Sequence, residues 1–233
     1  MSIAEKLTTI AENEQKVYNA GYEKGKSEGG TGGTDYLSYS TSARFPNLNL
    51  FGKKEVEVDM PLVKNFNGIF NQSVPNTTVE HLTINGALDG TITEASMFCY
   101  SGVNEATLKR LTLNCDFSKT TTLVYAFYYL SALEVIDGIP IDFSSATNIK
   151  SLHSCPLGSS LREMRVAPLS IKVNIDLPYD GKLSDETIQS IIDGLADLTD
   201  GTAKTLTLHS TVGAKLTDEQ KATITAKNWT LVY

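Results

Sequence analysis

The chain has 233 residues, 41% hydrophobic and 20% charged, with 20 Lys and Arg against 27 Asp and Glu for a net charge of −7. Such a composition suits one or two folded domains rather than a disordered chain. The acidic balance argues against a nucleic-acid backbone as partner, because phosphate contacts need concentrated Lys and Arg. No apolar run approaches the roughly 18–20 residues of a membrane span, so no membrane insertion is expected.

Residues 1–28 predict an amphipathic oligomerisation and anchoring helix. Ser2 and Glu5 have the capping-box spacing, in which each side chain satisfies the other's backbone N–H. Ile3, Leu7, Ile10 and Val17 then follow at helical intervals. Leu at an a position with Ile at d favours three or four chains over two, so a homotrimer is expected. Glu14 and Gly21 interrupt the seam, and a helix this short is marginal alone in water. Packing of the helix on its own domain is the alternative. The same segment lacks the continuous apolar centre of a signal peptide. Residues 29–35 follow with Gly29, Gly30, Gly32 and Gly33, a flexible tether.

Residues 36–180 contain an internal repeat. VEHLTI begins at Val79, LKRLTL at Leu108, LEVIDG at Leu133 and LREMRV at Leu161, starts 29, 25 and 28 residues apart. First, fourth and sixth positions are apolar, the L-x-x-L-x-L frame of a leucine-rich repeat. The third segment departs, with Gly138 at its sixth place and Ile139 just after. One such unit cannot bury its own apolar edge, but stacked units share a core and a parallel sheet. The expected core is Val79, Leu82, Ile84, Leu108, Leu111, Leu113, Leu133, Ile136, Leu161, Met164 and Val166. The fold class read from this is an α/β repeat: an oligomerising helix, then a short leucine-rich-repeat solenoid with parallel strands and a helix–strand cap.

The stretches between the strands, Phe66–Gln72, Ala95–Gly102 and Leu123–Leu130, each place an aromatic ahead of the next strand. They resemble the bacterial surface, BspA-like type of leucine-rich repeat. The asparagine ladder of other repeat classes is not expected. Residues 181–233 hold a tighter repeat, KLSDETIQSIIDGL from Lys182 and KLTDEQKATITAKN from Lys215. Ser184 and Thr217 are expected helix N-caps, with Gln220 completing a capping box. Acidic residues at 185, 186, 218 and 219 suit the helix dipole. Strands are expected from Thr205 and Trp229, with Asn228 as a left-handed C-cap, closing the open edge of the stack.

Little in the chain points to catalysis. His81, His153 and His209 have no metal-type neighbours, and the usual nucleophile, phosphate and dinucleotide signatures are missing. The histidines read as structural or solvent-facing. Cys99, Cys115 and Cys155 lack metal spacing and read as small buried hydrophobes. No enzyme activity, cofactor or metal is expected. The ligand face, if there is one, lies on the outward positions of the strands. Second residues are Glu80, Lys109, Glu134 and Arg162, which alternate in sign; third residues are His81, Arg110, Val135 and Glu163. They form either a polar binding face or a ladder of cross-strand pairs that avoids like-charge stacking, the ladder being preferred. Among the aromatics Phe127 is expected to be buried. Tyr128 and Tyr129, being adjacent, are expected to point apart with one exposed, a residue type suited to sugars or protein surfaces. Tyr36 and Tyr39 suggest a seam between protomers.

The N-terminal string together with residues 182–233 resembles structural proteins of tailed bacteriophages and prophages of Gram-positive bacteria. The resemblance implies a virion component made in the host cytoplasm. It would be displayed in several copies as a fibre or baseplate appendage and bind other virion proteins through its N-terminal helix. It would touch a host-surface glycan or protein through the repeat body. A purely architectural decoration or connector is the alternative, as is a bacterial leucine-rich-repeat adhesin. The resemblance implies no catalytic residue.

Overall fold

The computed structural model describes residues 35–38, 54–59, 66, 79–86, 95 and 107–233 except 157. The expected N-terminal helix with Ile3, Leu7, Ile10 and Val17 lies outside these residues, as do most of the tether, Tyr39 and Cys99. The fold is α/β with parallel strands. Six strands pair in chain order: β1 (Asp35–Ser38), β2 (Glu55–Asp59), β3 (His81–Asn85), β4 (Arg110–Asn114), β5 (Val135–Ile141) and β6 (Glu163–Val166). Every neighbouring pair is parallel. A second parallel sheet holds β7 (Ile175–Leu177), β8 (Lys204–Leu208) and β9 (Trp229–Val232). The helices among the described residues are α1 (Asp185–Gly194), α2 (Ser210–Gly213) and α3 (Asp218–Ala226).

The register follows from the apolar spacing. Val56, Leu82, Leu111, Ile136 and Met164 form one row, and Val58, Ile84 and Leu113 form the next. All are buried, as is every residue of the expected core. The same four-to-six spacing within β2, β3 and β4 lets each bury both residues by lining up with its neighbours without offset. β2 escapes the L-x-x-L-x-L pattern because Lys53 stands where the first apolar residue would fall.

β5 departs from the pattern where the sequence does, at Gly138. Gly138 pairs with Leu113, but the next apolar residue, Ile139, is 49% exposed. The ladder slips between Ile136 and Ile141, and buried Ile141 pairs with Val166 instead. Gly138 makes the slip possible. Its φ is +94°, and a Cβ there would lie 2.4 Å from the Leu113 carbonyl oxygen.

From β4 and β5 the chain returns along a second wall. Asp116 and Asp142 head matching turns, each accepting from the Ser N–H two residues on (2.8 and 2.7 Å), with Phe117 and Phe143 buried between. Ala95 N–H then donates to Thr122 O, Leu123 N–H to Asn148 O and Phe127 N–H to Leu152 O, so successive returns stack as the strands do. β7–β9 occupy the returns at the C-terminal end, and the side chains of both sheets share one apolar core. The second sheet takes its first strand from residues ahead of 181.

Helix α1 takes the place a seventh strand would have beside β6. Met164 N–H donates to Thr187 Oγ1 (3.1 Å) and Val166 N–H to Ser190 Oγ (3.0 Å), while Thr187 Oγ1 donates to Arg162 O (2.9 Å). Two hydroxyls thereby satisfy backbone groups that an open edge would leave exposed. Ile188, Ile191 and Ile192 carry the buried face of α1 into the core. Ser184 caps α1, and Thr217 with Gln220 forms the expected capping box on α3. Lys227 ends α3 and reaches back to the last turn of α1, donating to Ile192 O and Leu195 O, each at 2.9 Å. Asn228 follows with φ +62°, and the Trp229 indole donates to Ala196 O (2.9 Å).

Candidate functional site

Three surfaces hold the residues singled out above. The first is the row of second residues at the N-terminal ends of the strands. Lys54 pairs with Glu80 at 2.6 Å, Glu80 with Lys109 at 2.8 Å, and Glu134 with Arg162 at 2.5 Å. The alternation extends over five consecutive segments, Lys54 being the rung that the sequence pattern misses. Hydrogen bonds from Lys109 and then Lys54 pull the Glu80 carboxyl down to about 2, and Glu80 in turn raises the Lys109 ammonium. These side chains are largely exposed, so the row does more for register than for stability.

The second surface is the outward face of β3–β6. His81 Nε2 lies 2.9 Å from Thr112 Oγ1, and Thr112 donates to Asp137 Oδ1 at 2.6 Å. Arg110 closes an ion pair on the same carboxylate. Partial burial works against the charge of Asp137, yet the bonds from Thr112 and Arg110 hold it below the usual carboxylate range. His81 is shifted down, by burial first and then by the Arg110 charge. Asn114 Nδ2 donates to Asn85 Oδ1 (2.9 Å) and Asn85 Nδ2 to Glu57 (2.7 Å). A short asparagine step therefore exists where none was expected, on the outer face rather than in the core. Beyond these pairs a groove of about 820 Å³ opens between the β5 slip, β6 and the first turns of α1. Arg110, Asp137, Glu163, Arg165 and Glu186 line it with Pro140. Of the outward residues expected to form a ligand face, Arg110 and Glu163 line this groove. Glu80, Lys109, Glu134 and Arg162 stay in the charge row.

The third surface is the return wall, where Tyr128 and Tyr129 lie, in the turn before β5. They do not point apart. Tyr125 and Tyr129 adopt left-handed φ of 57° and 62°, which brings the side chains round to one side. The ring centroids of Tyr125 and Tyr128 are 4.7 Å apart, and those of Tyr128 and Tyr129 are 4.2 Å apart. A hydrogen bond to Tyr129 is the chief reason the Tyr128 hydroxyl rises to about 12. Phe127 is buried beneath, as expected.

His153, one return further on, has a partner that sequence spacing could not suggest. Its Nδ1 lies 2.7 Å from Asp180 Oδ1, with both side chains wholly buried. Nε2 lies 3.3 Å from Leu130 O and 3.5 Å from Cys155 Sγ. Burial alone would push the imidazole down, but the Asp180 carboxylate overrides it and holds it up at about 10. The order Cys–His–Asp has the outline of a nucleophilic triad. The sulfur is buried and Nε2 faces the Leu130 carbonyl as well as Cys155, so what the geometry provides is a tie between two loops. Asp180 Oδ2 is buried and has no hydrogen-bond partner among the described residues. Cys115, in apolar surroundings, has its thiol pushed up to about 12 by burial. Among the described residues no three His, Cys, Asp or Glu side chains converge to hold a metal, and no helix is long and apolar enough to cross a membrane.

No family model matches this chain, and no curated protein or solved structure is significantly similar to it.

Proposed function

We propose that this chain is a virion structural protein of a tailed bacteriophage, a leucine-rich-repeat solenoid carried in several copies on its N-terminal helix. It serves as a fibre or baseplate appendage, and its body touches the host surface. The observation that carries this reading is the parallel stack itself: strands in chain order, in register, with the last edge sealed by α1. Such a stack is a stiff spacer that presents the same outward rows along its length. Copies joined through residues 1–28 would add avidity, because later contacts become intramolecular. The groove beside α1 is where outward charges are least consumed by their neighbours, and there the body meets its partner.

A purely architectural role is the second reading. The pairing of Lys54, Glu80, Lys109, Glu134 and Arg162 with one another favours it, since that row offers little to a ligand. Labelled full-length protein applied to a panel of Gram-positive bacteria separates the two. Saturable attachment to a subset of strains, weakened by Glu163→Ala with Arg165→Ala, is expected. Attachment to none, with the protein located on particles by electron microscopy, would leave the architectural role.

A further inference from the structure

The return wall carries a second cavity, of about 320 Å³, between the turn at 151–154 and the loop after β7. Ser151 and Ser154 form one bank, Pro178 and Tyr179 the other, and Asp176 and Thr207 the floor. Asp176 and Thr207 are cross-strand neighbours on β7 and β8, so the floor is rigid sheet rather than loop. The banks are tied together underneath, because His153 belongs to one and Asp180 to the other and their ion pair is 2.7 Å long. Thr211 Oγ1 also holds the Gly181 carbonyl at 3.0 Å. The cleft is therefore built before any ligand arrives, which lowers the cost of binding.

Its chemistry is specific. Tyr179, 37% exposed, and Pro178 offer flat apolar surface on one side. Three hydroxyls and a carboxylate face it, while among the described residues no Lys or Arg lines the cavity. A pyranose ring has a matching division, with C–H groups on its faces and hydroxyls round its rim. It would set a face on Tyr179 and direct its hydroxyls to Asp176, Ser151, Ser154 and Thr207. A carboxylated or phosphorylated sugar would meet Asp176 without a free cation to offset it, since the charge on His153 is neutralised by Asp180. The volume sits at the lower end of the roughly 300–1,000 Å³ of small-molecule sites, enough for about one or two rings. The three-tyrosine cluster is one turn away, and Tyr129 N–H donates to the carbonyl of Ser154 (3.3 Å). A longer chain leaving the cleft on that side meets further aromatic surface.

We infer that the cleft between Ser151–Ser154 and Pro178–Tyr179 binds the ring of a neutral saccharide. The inference goes beyond the function proposed above and does not depend on it, because it concerns a different wall of the molecule and a ligand that can be tested in isolation. The test uses the full-length protein with glucose, galactose, N-acetylglucosamine and lactose, and glucuronic acid as the acidic counterpart. Saturation-transfer NMR and titration calorimetry are the readouts. At least one neutral sugar should bind through its ring protons, and glucuronic acid should bind more weakly than glucose. Tyr179→Ala should lower the affinity about tenfold or more, and Tyr179→Phe should retain it. Asp176→Asn, partly exposed and structurally mild, provides an independent variant should Tyr179→Ala fail to fold. Absence of binding by every neutral sugar would overturn the inference. So would an affinity unchanged in both Tyr179→Ala and Asp176→Asn, or stronger binding of glucuronic acid.

Discussion

His153 keeps its charge where burial alone would remove it, and that has a consequence for stability. The folded-state pKa is raised to about 10 above an unfolded value near 6.5. The contribution is therefore complete below about pH 6.5, and it is lost as pH rises through the folded-state value. Urea midpoints measured between about pH 6 and about pH 9 should fall steadily for the native chain and stay flatter for His153→Gln. A midpoint independent of pH in the native chain would show that the pair is not charged. Residue type and spacing identified Phe127 as a buried anchor and left His153 as either structural or solvent-facing. They could not identify Asp180, which lies 27 residues away, nor the left-handed turn that turns Tyr128 and Tyr129 to the same side.

Elements were legible where local chemistry sets them. Ser184 and Thr217 mark helix starts because a hydroxyl can answer the N–H groups that the first turn leaves free. β3, β4 and β6 follow from apolar alternation. β2 did not, because Lys53 breaks its frame, and β5 was only half legible because Gly138 permits a slip that no period encodes. The matching Asp-Phe-Ser runs at 116–118 and 142–144 were a signal that would have placed the return wall. The contact between α1 and β6 belongs to this scale and is testable. Thr187→Val preserves shape but leaves Met164 N–H without its bond and Arg162 C=O with the bond from Ser184 N–H alone, at a cost of about 1–3 kcal/mol. Urea unfolding would measure it, and a loss below about 0.5 kcal/mol would mean the edge is satisfied in another way.

For the molecule as a whole, the proposed assembly into several copies assigns the contact to residues 1–28, and their removal is the direct trial. Chain lacking them should run as a folded monomer in light scattering, whereas the intact protein should run as an oligomer, three copies being the expectation. Oligomers persisting after truncation would move the association surface into the body. What the amino-acid sequence determined unaided is the stacking: apolar residues at near-constant intervals share a core only when their strands run parallel and in register, so the pattern implies the sheet. What only the tertiary structure decided is which outward side chains meet. The His153–Asp180 clamp, the fifth rung at Lys54, the groove beside α1 and the cleft at Tyr179 all join segments about one repeat apart. Outward positions carry no period, because water accepts almost any side chain there, and their partners are known only once strands and returns are laid against each other.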